Sequence, residues 1–213
     1  MNQQAYWNNF WKQKLPPKKE ISEFAKEANQ IMKQHSIKTM LDIGCGAGQE
    51  TIYFAKKGYK VTAIDLSTNA LLKLRQQIQK ENIQNIETKI LDITKKRITG
   101  KYDAIYSELS IHYFNDTTTK LIITKIKTAL NKNGLLFIRC KSTQNTAYKK
   151  GTLLEENFYE YQGKQMRLFT LQYMEELLKN YSMIKIKETK RPHYTKENKE
   201  ITIHSIEAIV QKP

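Results

Sequence analysis

Apolar positions along this chain follow two patterns in alternation: stripes at helical spacing of three to four residues, and short continuous runs bounded by glycine, asparagine or aspartate. Residues 2–14 carry Tyr6, Trp7, Phe10 and Trp11 on one helical face, Pro16-Pro17 breaks the chain, and residues 18–35 resume with Ile21, Phe24, Ala25, Ala28, Ile31 and Met32. Two helices therefore precede the first strand, an apolar run from Thr39 that breaks at Gly44 into three alternate glycines. A helix over 50–57 closed by Gly58, a strand over 61–65 and a helix over 68–80 striped by Ala70, Leu71, Leu74 and Ile78 follow. Further runs predict strands over 86–93, 102–106 and 135–140, with a helix over 116–131 stopped by Asn133-Gly134. Beyond an irregular segment come a helix over 170–181 and strands over 182–188 and 201–211, separated by a polar run, 191–200, that reads as a loose loop.

Strands separated by helices pair in parallel through right-handed crossovers, which gives a doubly wound α/β sheet with ligands at the carboxyl ends of its strands. The last two strands have no helix between them, so they are expected to form an antiparallel hairpin.

The glycines carry the first chemical signal. They allow backbone angles that other residues resist, and they remove side chains that would hold a ligand off the main chain, just where a helix presents unpaired N–H groups to an anion. A dinucleotide and S-adenosylmethionine both suit such a turn. The dinucleotide fingerprint Gly-x-Gly-x-x-Gly fails here, because its last position, counted from Gly44, is Gln49. The order present is Asp42-x-Gly44-x-Gly46-x-Gly48. A second strand ends in Asp65-Leu66, where a carboxylate can accept ribose hydroxyls, and a third in Asp92-Ile93. Each aspartate also fits a simpler role at the start of a helix or turn. In register, the three motifs resemble the class I S-adenosylmethionine-dependent methyltransferases over essentially the whole chain. The resemblance implies a Rossmann-like seven-stranded sheet of order 3-2-1-4-5-7-6 with strand 7 antiparallel and helices on both faces. It assigns Asp42, Gly44, Gly46, Gly48, Asp65, Leu66, Asp92, Ile93 and Ser107 to the cofactor, S-adenosylmethionine, and its product S-adenosylhomocysteine. Asp92 is then expected beside the adenine amino group, with Ile93 packing on the ring. Cys45 reads as small filler between glycines.

Composition narrows the class. A chain of 213 residues can bury a full core, and Cys45 and Cys140 alone make neither a disulfide framework nor a metal site. No apolar stretch of signal or membrane-span length opens the chain, so a cytoplasmic protein is expected. The net charge of +15 raises nucleic acid as a partner, but the basic residues are mostly lysines spread evenly, with arginine only at positions 75, 97, 139, 167 and 191. A solvated lysine surface is the preferred reading.

The acceptor end follows the fourth strand, at Ser107 to Phe114. It lacks the Asn/Asp/Ser-Pro-Pro-aromatic tetrad of base-amino methyltransferases and the Pro-Cys of cytosine-C5 enzymes. With Ile138 to Thr143 and Met166 to Thr170, it resembles a bacterial small-molecule group related to tellurite-resistance methyltransferases. His112 is the candidate base, with a capping or core histidine as the alternative. Arg139, Lys141 and Arg167 are candidates for an anionic acceptor. Tyr6, Trp7, Trp11, Tyr113, Tyr148, Tyr159 and Tyr161 are candidates for an aromatic acceptor wall or lid. The expected organisation is a helical lid over 1–36 and a methyltransferase domain over 37–213 with a substrate-side insert at 142–169. The lid is expected over the acceptor, so that its removal spares cofactor binding. The expected partner is a small-molecule acceptor, with no membrane, and the chain a monomer or homodimer. An RNA methyltransferase and a non-catalytic S-adenosylmethionine-binding protein remain the alternatives.

Overall fold

A computed structural model describes residues 3–13, 20–145, 151–161, 163–194 and 200–213. Helices α1 (Gln3–Gln13) and α2 (Glu23–Gln34) precede β1 (Thr39–Ile43), α3 (Gln49–Lys56), β2 (Lys60–Asp65), α4 (Thr68–Lys80) and β3 (Ile86–Ile90). Then come β4 (Tyr102–Glu108), a single 3-10 turn at Ile111–Tyr113, α5 (Asp116–Ala129) and β5 (Leu130–Lys141). The chain continues through β6 (Thr152–Glu155), β7 (Phe158–Tyr161), β8 (Lys164–Arg167), α6 (Leu171–Leu177), β9 (Ser182–Tyr194) and β10 (Glu200–Gln211). The main sheet runs β3-β2-β1-β4-β5-β10-β9, with β10 antiparallel to both neighbours. With the insert's strands set aside, this is the order expected for a class I methyltransferase.

Helices begin where a side chain replaces the missing backbone acceptor. Ser22 Oγ accepts from Ala25 N at 3.1 Å, Ser67 Oγ from Ala70 N at 3.2 Å and Asn115 Oδ1 from Thr118 N at 3.0 Å. Helices α2 to α6 then bury apolar residues against the sheet. Phe24, Ala28, Met32 and Phe54 pack with Tyr106 and Phe137 on one face of the sheet, while Ile122, Ile126 and Met174 pack with Leu136 and Ile138 on the other. Among the described residues, no helix is long and apolar enough to cross a membrane.

Three expectations change. The irregular segment contains a separate antiparallel sheet, β6-β7-β8, whose four-residue strands mix charged and apolar side chains and so show no apolar run. Helix α5 stops at Ala129 and passes straight into β5, which bends at Asn133 with φ of 60°. The loose loop is partly strand: β9 continues past Glu188, pairing Arg191 with Ile203 and Pro192 with Thr202. Proline is tolerated there because β9 is the sheet's edge and needs no donor on its outer side. Residues 195–199 lie outside the described residues.

Candidate active-site cleft

At the carboxyl ends of β1, β2 and β4 lies a cleft with a volume of about 310 Å3. Its floor is the turn Gly44 to Gly48. All three glycines are left-handed, with φ of 70°, 56° and 82°, and a Cβ on each would collide in turn with Ser110, Trp11 and Leu74. Gly44 N and Cys45 N both donate to Ile64 O, at 2.8 and 3.1 Å, which ties the turn to β2. Gly48 begins α3 with no side-chain cap, so the helix start faces the glycine turn without a capping side chain of its own.

Asp65 and Asp92 both line the cleft, as do Leu66 and Ile93. Each carboxylate also organises its own turn. Asp65 accepts from Gly46 N and Ser67 N, both at 2.8 Å, and burial raises its pKa against the pull of these donors. Asp92 accepts from Thr94 N at 3.0 Å and Thr94 Oγ1 at 2.6 Å. The simpler turn role and the lining position therefore coexist. Asp42 does not line the cleft. It is buried beneath the glycine turn, accepting the Thr51 hydroxyl at 2.5 Å, and burial raises its pKa to about 7. Ser107 likewise lies one layer back. Ser110 lines the cleft and donates to Ile43 O at 2.9 Å, so Ser107, 2.6 Å away, donates to Ser110.

Helix α1 forms the opposite wall. Asn8 binds it to the start of α4, its Oδ1 accepting from Ser67 Oγ at 2.9 Å and Thr68 Oγ1 at 3.1 Å while its carbonyl accepts from Asn69 Nδ2 at 2.9 Å. Trp7, Phe10 and Trp11 consequently face the same space as the glycines and Asp65. Helix α1 therefore stands over the glycine turn as well as the end of β4. Tyr113 closes the far side, its ring 4.7 Å from Trp7 and its hydroxyl pKa raised by burial.

The other acceptor candidates do not converge. Tyr6 lines a small side pocket with Tyr113, Lys164 and Gln165. Tyr159 and Tyr161 lie in β7, away from the cleft, and Tyr148 is outside the described residues. Arg139 is buried behind the wall, 2.8 Å from Glu108 and 3.4 Å from Glu207, in a chain of ion pairs that continues through Lys187 to Glu27. Lys141 also lies off the cleft, its pKa lowered by burial and by Arg191. Arg167 is held in the insert by Glu155 at 2.7 Å and the Glu156 carbonyl at 3.0 Å, with Phe158 and Tyr173 beside its guanidinium. His112 is fully buried, does not line the cleft, and neither ring nitrogen has a hydrogen-bond partner. Burial holds its pKa well below the usual value, with Lys141 and Lys164 adding to the effect. The structure thus gives it the surroundings of a core histidine.

Several lining residues had no motif to mark them. Glu108, at the end of β4, is fixed by three donors from three segments: Ser22 Oγ at 2.8 Å, Tyr106 Oη at 2.6 Å and Arg139 Nη1 at 2.8 Å. Glu20, Glu50 and Arg191 line the cleft beside it.

Fold and cleft together define the class I methyltransferase architecture. The model of the family "Tellurite resistance protein TehB" matches residues 5–182, and the chain belongs to that family. It is 34% identical over 107 residues to the probable S-adenosyl-L-methionine-dependent methyltransferase TehB of Haemophilus influenzae, covering 50% of this chain and 37% of the relative. It is 33% identical over 136 residues to (S)-coclaurine N-methyltransferase of Thalictrum flavum, covering 62% and 36% respectively. The chain thus spans little more than a third of the length of these curated relatives. The crystal structure of Haemophilus influenzae TehB superposes with a TM-score of 0.74 at 22% identity, over 97% of this chain and 67% of that one. Bradyrhizobium japonicum NodS, an N-methyltransferase crystallised with S-adenosylhomocysteine, gives 0.69 at 16% identity over the full length of both chains.

Proposed function

We propose that the chain is an S-adenosylmethionine-dependent methyltransferase acting on a small-molecule acceptor. One observation carries the reading: three left-handed glycines, an uncapped helix start and two strand-end carboxylates line a single cleft. The fit to the donor is chemical. Asp65 offers lone pairs to vicinal hydroxyls, Leu66, Leu91 and Ile93 offer an apolar slot to a purine, and the glycine turn admits a short amino-acid tail. The names of the relatives, TehB and (S)-coclaurine N-methyltransferase, support the same class.

When bound, the donor supplies a methyl group already activated by its sulfonium, so that transfer breaks one S–C bond, forms one bond to the acceptor and leaves a neutral thioether. The chain's own work is alignment and exclusion of water, which Trp7, Phe10, Trp11 and Tyr113 provide as an aromatic wall. An acceptor that reaches the cleft unprotonated needs no base, and His112 stands outside it. Among the described residues, the lining holds Glu20, Glu50, Asp65, Asp92 and Glu108 against Arg191 as the only cation, a charge balance that disfavours polyanionic RNA despite the +15 of the whole chain.

Calorimetry with S-adenosylhomocysteine and NAD tests the donor. The first is expected to bind and the second not, and the reverse result removes the assignment. A labelled-methyl screen over pooled metabolites and total RNA tests the acceptor class.

A further inference from the structure

Arg191 projects from the edge strand β9 into the cleft, beside Glu108 and the glycine turn. It makes no hydrogen bond or ion pair with the described residues, and its Nε is buried without a partner. The contrast with its neighbours is informative. The Nε atoms of Arg139 and Arg167 have no hydrogen-bond partner either, but each of these side chains is held by an ion pair, Arg139 with Glu108 and Glu207 and Arg167 with Glu155, and Arg191 is not. Glu108 has already accepted bonds from Ser22, Tyr106 and Arg139, so it is satisfied without Arg191. Burial and the Arg139 charge both oppose the cation of Arg191, while Glu108, Glu50 and Glu207 favour it. A guanidinium that remains charged and partly desolvated, with an unfilled donor, is a site for a planar anion that accepts two parallel hydrogen bonds.

We propose that Arg191 anchors a carboxylate of the ligand in this cleft. The inference rests on the methyl-transfer reading and deepens it. Two sources share the chemistry: the amino-acid tail of the donor and an acid group on the acceptor. The arrangement suits an α-amino acid head in either case, because the cleft that presents the Arg191 cation to a carboxylate is also lined by the Glu108 carboxylate, the charge an ammonium prefers.

The test pairs ligands that carry the acid with ligands that lack it. S-Adenosylhomocysteine and 5′-methylthioadenosine, which lacks the amino-acid tail, are titrated into the wild type, Arg191→Gln and Arg191→Lys. Labelled methyl transfer is measured in parallel to histidine and histamine, tyrosine and tyramine, and glycine and methylamine. If the donor supplies the carboxylate, Arg191→Gln weakens S-adenosylhomocysteine by about tenfold or more, Arg191→Lys restores part of it, and methylthioadenosine is unaffected. If the acceptor supplies it, nucleoside affinities hold and Arg191→Gln raises KM about tenfold or more for acid-bearing acceptors alone, with kcat retained. Either result supports the proposal. Equal losses for methylthioadenosine and S-adenosylhomocysteine with a lowered Tm indicate a structural arginine and overturn it. So does a variant that no pair distinguishes from wild type. A wild type that binds neither nucleoside fails the methyl-transfer reading itself, an outcome distinct from failure at Arg191.

Discussion

The Asp65 carboxylate holds Gly46 N and Ser67 N while facing the cleft, so its removal loosens the glycine turn as well as deleting a ligand contact. Asp92 braces only its own turn, through Thr94. Asp65→Ala is therefore expected to cost about 2 to 3 kcal/mol of S-adenosylhomocysteine affinity, and Asp92→Ala about 1, by calorimetry. Equal and negligible losses would return both residues to turn formation alone. Asp42 makes a prediction about stability. Its pKa is raised from 3.8 to about 7, so between those values the folded protein binds the proton more tightly than the unfolded chain and stability falls as pH rises. Asp42→Asn keeps an acceptor for Thr51 and removes the buried charge. Its Tm is expected to exceed that of wild type at pH 8, with the gap shrinking toward pH 4. A gap that does not change with pH would place the charge elsewhere. These residues were readable because glycine and aspartate spacing at strand ends is a local property. The state of Asp42, buried under the turn, was not, since burial comes from α3 folding back onto β1.

At the scale of elements, α1 and the β9–β10 hairpin decide what the cleft is. Helix α1 buries none of its residues fully, yet Asn8 fastens it to the start of α4 and its aromatic residues wall the site. Asn8→Ala is expected to free α1, speed tryptic cleavage after Lys12 and weaken S-adenosylhomocysteine. Cleavage and affinity at wild-type levels would show that α1 docks without Asn8. The helix itself was legible from the spacing of Tyr6, Trp7, Phe10 and Trp11, but its docking partner was not, because an aromatic stripe does not say what it packs against. The hairpin was half legible. Ser182 to Glu188 alternates enough to read as strand, whereas Lys190 to Tyr194 is polar with a proline, and only pairing with β10 makes it one. Arg191 reached the cleft through that pairing.

Across the whole molecule, a line of ion pairs runs from Glu108 through Arg139, Glu207 and Lys187 to Glu27, buried at Arg139 and Glu207 and partly exposed at Lys187 and Glu27, joining β4, β5, β10, β9 and α2. Removing its centre leaves the Glu108 carboxylate without an ion-pair partner and Glu207 with Lys187 alone. Arg139→Ala is expected to lose about 3 to 5 kcal/mol in denaturant unfolding, and a loss below about 1 would mean that solvent already screens the line. The net charge of +15 makes a separate prediction. Nonspecific RNA retention is expected to collapse between 50 and 200 mM salt, while methyl transfer to a small acceptor changes little. Turnover that falls in step with RNA binding would favour the RNA alternative.

The sequence by itself determined the alternation of strand and helix, the hairpin that ends the sheet, and the glycine and aspartate motifs, because each depends on residues within one turn or one strand of one another. Tertiary structure alone decided that Arg139 and Arg167 are held in ion pairs, that His112 is enclosed in the core, that the insert is a sheet, and that Glu108 and Arg191 face the cleft. Whether a charged side chain is spent on a neighbour or left for a ligand depends on which distant segments the fold brings within hydrogen-bond reach, and spacing along the chain does not carry that information.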